Sequence, residues 1–145
     1  MDIEIKIDST CAKPKLQIRC AEVNEEVETL LRVLGSRGAI LSGFRGDTFE
    51  ILEPERIVRV YAAAQKVFAV TDGGEYTLRY RLYELEERLD PTRFVRISNS
   101  EIVNLRHTKS FSLSFAGTIS INLSNGETSY VSRRYVQKIK QILGV

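Results

Sequence analysis

Hydrophobic and polar residues alternate along much of the chain, a pattern typical of β-strands that bury one face. Near the N-terminus, Ile3, Ile5 and Ile7 alternate with charged residues, and residues 15–20 alternate in the same way. We expect these two segments to form half-buried strands that pair with each other. From about residue 39 onward, turn signals separate apolar or alternating runs, which predicts a series of mainly antiparallel strands.

The turn signals of this second part are Arg45-Gly46-Asp47, Asp72-Gly73-Gly74, Ala116-Gly117 and Asn125-Gly126. The runs between them are "ILSGF", "RIVRVYA", "VFAVT", "FSLSF" and "ISINL". Asn125-Gly126 is the strongest hairpin signal, because a type I′ turn needs positive φ at both central positions. Around it, apolar residues fall on alternate positions, which predicts one buried face: Phe111, Leu113, Phe115, Ile119, Ile121 and Leu123.

Three segments have helical spacing instead. Asn24 can cap the first and Gly35 can end it, and its apolar stripe is Val27, Leu30, Leu31 and Leu34. The second stops at Asp90-Pro91, because proline disfavours helix in the preceding residue, and its stripe is Leu82, Leu85 and Leu89. Ser132 can cap the third, whose inward residues are Val136, Ile139 and Leu143.

Composition places the chain among folded proteins: of its 145 residues, 43% are hydrophobic and 28% are charged. No run approaches the roughly 18 apolar residues that span a bilayer, and the N-terminus lacks the pattern of a signal peptide, so we expect a cytoplasmic protein. Cys11 and Cys20 do not form a C-x-x-C pair. We expect reduced structural thiols, and a disulfide between two short strands is the alternative.

Charge is distributed unevenly, although the net charge is only +2. Residues 92–145 carry eight basic and two acidic side chains, whereas acidic side chains outnumber basic ones in residues 1–41 and 42–91. A basic excess favours an acidic partner for the last third of the chain.

Catalytic motifs are absent from the sequence, which has no G-x-S-x-G, no Walker loop and no dinucleotide fingerprint. The single histidine, His107, lies in a polar connection, and we expect a surface or turn role because base catalysis needs a positioned partner. Glu84, Glu86 and Glu87 fit the solvated face of a helix rather than a metal site. We therefore predict no enzymatic activity, no cofactor and no metal.

Two strand-like stretches are interrupted by donors and cations. "FVRISNSEIVNL", residues 94–105, starts with aromatic and β-branched residues and then turns polar; "YVSRRYVQKI", residues 130–139, does the same. The first resembles the most recognisable segment of the LytTR family of bacterial DNA-binding domains. "GETSYVSRRYVQKIKQIL" is similar to the C-terminal strand, turn and helix of that family, and "RYRLYELEERLDPTRF" to the helix before its Phe-Val-Arg strand.

The resemblance covers about residues 42–145 and implies an elongated, mainly β (α+β) fold with short helices. It further implies that loops enter successive major grooves of DNA and contact base edges. The matching base-contacting positions are Asn99, Arg134 and, in the "AAAQK" loop, Gln65 or Lys66. Asparagine suits adenine and arginine suits guanine, because each can bond bidentately to the respective base.

Donors and cations beside these positions suit DNA phosphates. They are Arg81, Arg96, Ser98, Ser100, Ser132, Arg133 and Lys138. Each has a structural alternative, in which Ser132 is only a helix cap, Asn99 only a turn residue and Arg96 only a salt-bridge partner. Caps and contacts can coexist, since a helix N-terminus also favours an anion.

We accordingly expect two segments: an N-terminal β-β-α extension, residues 1–41, and a LytTR-like DNA-binding domain, residues 42–145. The extension is too short for a receiver domain and suggests a packing cap or a homodimer contact, with control by a separate partner such as a membrane protein. The predicted function is a sequence-specific, double-stranded DNA-binding transcriptional regulator. Two alternatives remain, a protein-interaction module that binds a peptide or membrane protein, and a weaker RNA-binding role that lacks the usual RNA motifs.

Overall fold

The computed structural model describes residues 1–35 and 41–145. It divides the chain into two compact units, Met1–Val33 and Leu34–Val145. The predicted domain boundary after residue 41 stays a prediction. The first residue of the predicted strand "ILSGF", Ile40, lies outside the described residues, as do the side chains of Leu31 and Leu34 in the predicted helical stripe.

The first helix of the chain, α1, spans Glu25–Gly35. Asn24 caps it as predicted, because its Oδ1 accepts a hydrogen bond of 3.0 Å from the backbone N–H of Val27. Three glutamates lie in the first turn, where the helix dipole favours negative charge. The sequence pattern thus predicted where this helix begins.

The two predicted N-terminal strands do not form, so the β-β part of the predicted β-β-α extension is wrong. Residues 1–22 contain no strand, and the side chains of Ile3, Ile5 and Ile7 are 86%, 86% and 96% exposed. An alternating segment becomes a strand only when a neighbour satisfies its backbone and covers one face, and an isolated pair of strands is only marginally stable. Cys11 and Cys20 are free, as predicted, and form no disulfide, but both are exposed.

The described residues of the second unit form ten strands in two antiparallel sheets. The larger sheet has the order β2-β1-β5-β4-β3-β7-β6 and the smaller sheet the order β10-β9-β8. Its strands are β1 Leu41–Arg45, β2 Thr48–Leu52, β3 Ile57–Ala63, β4 Lys66–Thr71, β5 Gly74–Leu78, β6 Phe94–Ser98, β7 Glu101–Asn104, β8 Thr108–Leu113, β9 Ile119–Leu123 and β10 Thr128–Val131. Two α-helices accompany them, α2 at Leu82–Arg88 and α3 at Arg133–Leu143, with short 3₁₀ turns at Pro54–Arg56 and Leu105–His107. This mainly antiparallel β architecture with short helices confirms the predicted fold class.

Two hydrophobic clusters lie on the two sides of strands β3, β6 and β7. One packs α2 through Leu82, Leu85 and Leu89 against the larger sheet, as the leucine spacing predicted. The other joins β6 and β7 to the smaller sheet and to α3, whose Ile139 is fully buried. Strands buried on both faces need apolar residues in succession, which explains the adjacent buried pairs Ile57-Val58, Phe94-Val95 and Ile102-Val103.

Two details of the predicted strands are wrong. In the β9–β10 hairpin only Gly126 has positive φ, +88°, so the turn is not type I′; the N–H of Gly126 bonds the carbonyl of Leu123 at 3.1 Å. Leu113 at the end of β8 and Phe115 in the turn after it are exposed, because this end of the hairpin extends beyond the residues that form the core. The facing residues Ile119, Ile121 and Leu123 are buried as predicted.

An ionic network joins the two sheets. Arg59 of β3 lies 3.5 Å from the carboxylate of Glu101 and 2.7 Å from that of Glu127, which precedes β10. Glu101 also accepts a hydrogen bond from the hydroxyl of Ser129 in β10. Because Arg59 and Glu101 are largely shielded from water, their attraction is screened less by solvent and salt than that of a surface pair. The network links the smaller sheet to β3 and β7.

Asn104, at the end of the Ile-Val-Asn motif, belongs to the scaffold. It is 1% exposed; its Nδ2 donates to the carbonyl of Ile57 at 2.9 Å and its Oδ1 accepts from the N–H of Arg106 at 3.0 Å. Asn104→Ala should lower the free energy of unfolding by about 1–3 kcal/mol, because it leaves a buried carbonyl and a turn N–H without partners.

Chemical denaturation checks this prediction, and Asn99→Ala is the matched control because Asn99 is exposed on a turn. We expect the control to change the unfolding free energy by less than about 0.5 kcal/mol. Equal stabilities for Asn104→Ala and the wild type would contradict a scaffold role for Asn104.

Candidate nucleic-acid interface

The turn between β6 and β7 interrupts the first strand-like stretch. It begins at an irregularity in the β6–β7 pairing between Arg96 and Ser98, and it exposes Asn99 and Ser100. The hydroxyl of Ser98 accepts a hydrogen bond of 3.2 Å from the N–H of Ser100. Small polar residues end the strand here because their side chains satisfy the turn backbone locally.

Arg96 is engaged within the protein. Its Nε donates to the carbonyl of Ser98 at 2.9 Å, its Nη2 to the carbonyl of Asn99 at 2.6 Å, and its Nη1 to Oε2 of Glu86 at 2.9 Å. The guanidinium thus bonds two backbone carbonyls of the turn, and a carboxylate of α2 neutralises its charge. This geometry favours the salt-bridge alternative for Arg96, in which it positions Asn99.

The start of α3 lies against the same turn. The backbone N–H of Ser132 donates to the carbonyl of Ile97 at 2.9 Å, and the hydroxyl of Tyr135 donates to Oδ1 of Asn99 at 3.3 Å. Ser132 occupies the N-cap position, but its side chain makes no capping hydrogen bond. Its hydroxyl therefore remains available to a ligand at the helix N-terminus.

Arg133 and Arg134 form the first turn of α3 and are exposed. Among residues 1–35 and 41–145, neither takes part in an ion pair. No acidic residue lies in this first turn, so two cations occupy the end of a helix where the dipole disfavours positive charge. A bound anion would offset that cost. Lys138 is exposed and lies four residues after Arg134, which places it on the same helix face.

The turn between β3 and β4 contains unusual backbone conformations. Ala63 pairs with Lys66, and the two residues between them, Ala64 and Gln65, have φ values of +50° and +64°. This geometry is expected for a type I′ turn, where glycine or asparagine is normal, and a non-glycine residue there costs roughly 1–2 kcal/mol. Such strain persists mainly at functional positions.

A hydrogen bond joins this turn to the β6–β7 turn, because the N–H of Ala62 donates to the carbonyl of Ser100 at 2.8 Å. Three segments from distant parts of the sequence therefore lie in contact, residues 62–66, 98–101 and 132–135. We call them the three-turn surface. Their convergence brings together most of the predicted contact residues: Gln65, Lys66, Ser98, Asn99, Ser100, Ser132, Arg133 and Arg134.

An open depression of about 950 Å³ adjoins the three-turn surface. Gln65 and Asn99 both line it, and so does the predicted contact Arg81. Among the described residues that line it, none is acidic and four are basic, Lys66, Arg79, Arg81 and Arg96, of which Arg96 is paired with Glu86. A concave surface with one sign of charge concentrates the electrostatic potential and attracts anions.

Sequence reasoning missed two residues of this region, Tyr135 and Arg79. Tyr135 directly follows Arg134, but its contact with Asn99 joins residues that are 36 apart in the sequence. Arg79 alternates with Arg81 around Tyr80, a pattern that could have indicated a basic strand end. The guanidinium of Arg79 lies 4.7 Å from the ring centroid of Phe44, which holds it beside the sheet.

The remaining candidate groups have structural positions. His107 ends a 3₁₀ turn, where its Nε2 lies 2.6 Å from the carbonyl of Glu55 and its Nδ1 lies 3.1 Å from the hydroxyl of Ser124. Burial raises the pKa of Tyr61, and so does Glu75, whose carboxylate accepts the tyrosine hydrogen bond at 2.9 Å. Within the described residues, no three histidine, cysteine or acidic side chains form a candidate metal site.

No helix in the described part of the chain is long and apolar enough to cross a membrane. The helices there are also separated by strands: five strands lie between α1 and α2, and five more between α2 and α3. The described residues therefore contain no two successive helices that could form a helix-turn-helix.

In this antiparallel β fold, polar and cationic turns converge on one surface, whose donors and positive charge suit a nucleic-acid backbone. The family model described as the LytTr DNA-binding domain matches residues 47–144, and the chain belongs to this family. A solved LytTr DNA-binding domain from Bacillus cereus shares the fold, with a TM-score of 0.70 and 24% identity over 73% of this chain and 97% of that one. The resemblance to the LytTR family is thereby confirmed.

Full-length relatives carry regulator names. An uncharacterized HTH-type transcriptional regulator of Staphylococcus aureus strain NCTC 8325 is 28% identical over 147 residues, covering 100% of this chain and 99% of that protein. A similarly named protein of strain MRSA252 is 27% identical over the same coverage. The similarity therefore extends through the N-terminal unit as well as the family domain.

Proposed function

We propose that this protein is a transcriptional regulator that binds double-stranded DNA sequence-specifically through the three-turn surface. The observation that carries the proposal is the convergence of the three turns, joined by the Ala62–Ser100, Ile97–Ser132 and Asn99–Tyr135 hydrogen bonds. Membership of a DNA-binding family and the names of the relatives support it. The protein would act in the cytoplasm, where bacterial DNA lies.

Base contacts are assigned to the exposed tips of the turns. Asn99 would bond an adenine and Arg134 a guanine, each bidentately in a major groove. Gln65 or Lys66 would supply the third contact, and the strained β3–β4 turn supports this role because its side chains are presented on a defined backbone. Side chains on different turns would thus contact different base pairs.

Phosphate contacts are assigned to the surrounding donors: Arg81, Ser98, Ser100, Ser132, Arg133 and Lys138. Such contacts fix the register of the protein on the duplex and contribute most of the non-specific affinity. Arg96 is assigned an indirect role, because its three hydrogen bonds already lie within the protein.

The spacing of the contacts suggests how much DNA one copy covers. Turns that enter successive major grooves from one side span roughly one helical turn, about 10 base pairs. Direct repeats at that spacing would bind two copies in the same orientation.

Selection of bound duplexes from a random double-stranded library tests the proposal. A defined motif should emerge, and the recovered duplex should bind more tightly than a scrambled one by on the order of a thousandfold or more. Recovery of no motif, together with equal affinity for single-stranded RNA, would contradict sequence-specific duplex binding.

A homodimer through the N-terminal segment and a separate regulatory protein, such as a membrane protein, are further parts of the proposal. The exposed and alternating Ile3, Ile5 and Ile7 support a contact made by this segment. Deletion of residues 1–35 should then convert a dimer into a monomer in analytical ultracentrifugation, while circular dichroism shows that the strands persist. A full-length protein that is monomeric at all concentrations would remove the dimer.

A further inference from the structure

The side chain of Asn99 is exposed, yet it is held by the protein. The hydroxyl of Tyr135 donates a hydrogen bond of 3.3 Å to Oδ1 of Asn99, and the tyrosine ring packs against the hydrophobic cluster under α3. We infer that Tyr135 is a positioning residue that fixes the orientation of the Asn99 amide and thereby sets specificity at one base position. The inference rests on the proposed base contact of Asn99.

The chemistry of the amide explains why its orientation matters. Bidentate recognition of adenine requires the amide oxygen to accept from N6 and the amide nitrogen to donate to N7. A rotation of the amide by half a turn exchanges donor and acceptor and destroys the match. The tyrosine O–H donates to Oδ1 and supports the orientation seen here. A reversed amide could contact the same hydroxyl only by donating from Nδ2, which would leave a single Nδ2 hydrogen for the base.

The contact with Tyr135 leaves the recognition groups of Asn99 free. Oδ1 has two lone pairs, of which Tyr135 uses one. Nδ2 makes no hydrogen bond to any other described residue, so both of its hydrogens remain available. Asn99 can therefore bind Tyr135 and a base at the same time.

The backbone of Asn99 is fixed as well, because Nη2 of Arg96 donates to its carbonyl and Arg96 is in turn held by Glu86. Tyr135 is fixed from the opposite side by α3, where its N–H donates to the carbonyl of Ser132 at 2.9 Å. A side chain that is ordered before binding loses less conformational entropy when it contacts the base. Tyr135 should therefore contribute to affinity and to discrimination, both through Asn99.

Tyr135→Phe tests the inference, because phenylalanine keeps the packed ring and removes only the hydroxyl. The probes are the duplex recovered by selection, its single-base variants and a scrambled duplex. Affinity for the recovered duplex should fall roughly two- to twelvefold, the effect of freeing one side chain. Asn99→Ala identifies one base position at which discrimination is lost. With duplexes that are already mutated at this position, Tyr135→Phe should cause no further loss of affinity. Affinity for the scrambled duplex should not change.

Two comparisons make the test specific. In a protein that already carries Asn99→Ala, Tyr135→Phe should cause no further loss, because the two residues act on the same base. Tyr130→Phe is the matched control, since Tyr130 is exposed on β10 and should leave all affinities unchanged. Thermal unfolding of every variant, measured in parallel, separates a binding effect from a folding effect.

Each outcome decides something different. The positioning role is overturned if Tyr135→Phe weakens binding to all duplexes alike, or if it lowers only the melting temperature. It is also overturned if Tyr135→Phe still weakens binding in the protein that carries Asn99→Ala. If Asn99→Ala changes discrimination and Tyr135→Phe does not, this inference fails and the proposed base contact stands. If Asn99→Ala itself leaves discrimination unchanged, the base contact fails and the positioning role fails with it.

Discussion

Arg134→Ala should cost about 1–3 kcal/mol in binding to the selected duplex, roughly a tenfold to hundredfold loss of affinity, because one bidentate guanine contact disappears. The loss should shrink when that base pair is already mutated, since the two changes remove the same interaction. Stability should barely change, because Arg134 is exposed and forms no ion pair within the described residues. Competition binding against a panel of single-base variants measures the effect.

Arg133→Ala is the matched control for Arg134→Ala. The two arginines are adjacent in the first turn of α3, but a phosphate contact conveys no sequence information. Arg133→Ala should therefore weaken binding to selected and scrambled duplexes by about the same factor. Equal and uniform losses for both variants would show that Arg134 binds phosphate rather than a base.

Asn99→Ala extends the same experiment to a second base position. Its loss should add to that of Arg134→Ala, because the two side chains belong to different turns and have no shared partner. If Asn99 is only a turn residue, its replacement should instead lower the melting temperature and weaken all duplexes alike.

Affinity for DNA should fall steeply with salt. Three of the assigned phosphate contacts are cations, Arg81, Arg133 and Lys138. The candidate base contact Lys66 is a fourth cation on the same surface, and each neutralised phosphate contributes about 0.9 to the log–log slope. A slope of about 3 to 4 corresponds to roughly a hundredfold loss between 50 and 200 mM salt. Fluorescence anisotropy with a labelled duplex at several salt concentrations measures this slope.

Single substitutions assign the slope to particular residues. Arg133→Ala should reduce it by about 0.9. Arg56→Ala should leave the slope unchanged. Arg56 pairs with Asp72, which follows β4 at the end of the strand that is far from Lys66. An affinity that does not depend on salt would favour the alternative of a protein-interaction module.

The parts of the fold that the sequence predicted are those decided by local pattern. Leu82, Leu85 and Leu89 recur at helical spacing and are buried together, and Asn24 caps its helix. Where the outcome depends on a distant partner, the pattern was insufficient. Ile3, Ile5 and Ile7 have the alternation of a strand, but pairing requires a neighbouring backbone that the pattern does not reveal.

In the candidate site, too, the sequence predicted local features but not contacts between distant residues. Motif order placed Asn99 and Arg134 on turns, whereas the bond from Tyr135 to Asn99 and the three bonds of Arg96 depend on the folded arrangement. Two asparagines of one motif differ in the same way, since Asn104 is buried and Asn99 is exposed. Type I′ geometry occurs at Ala64-Gln65 rather than at Asn125-Gly126, because strand register overrides the residue preference.

The central claim is that the three-turn surface contacts the duplex, and amide chemical-shift mapping during titration with the selected duplex tests it most directly. Shifts should concentrate in residues 62–66, 98–101 and 132–135, and a scrambled duplex should shift the same amides less. Buried amides around Asn104 should move little and serve as the internal reference. Shifts confined to the exposed hairpin tip at residues 113–118 or to residues 1–22, with the three-turn surface unmoved, would contradict the claim.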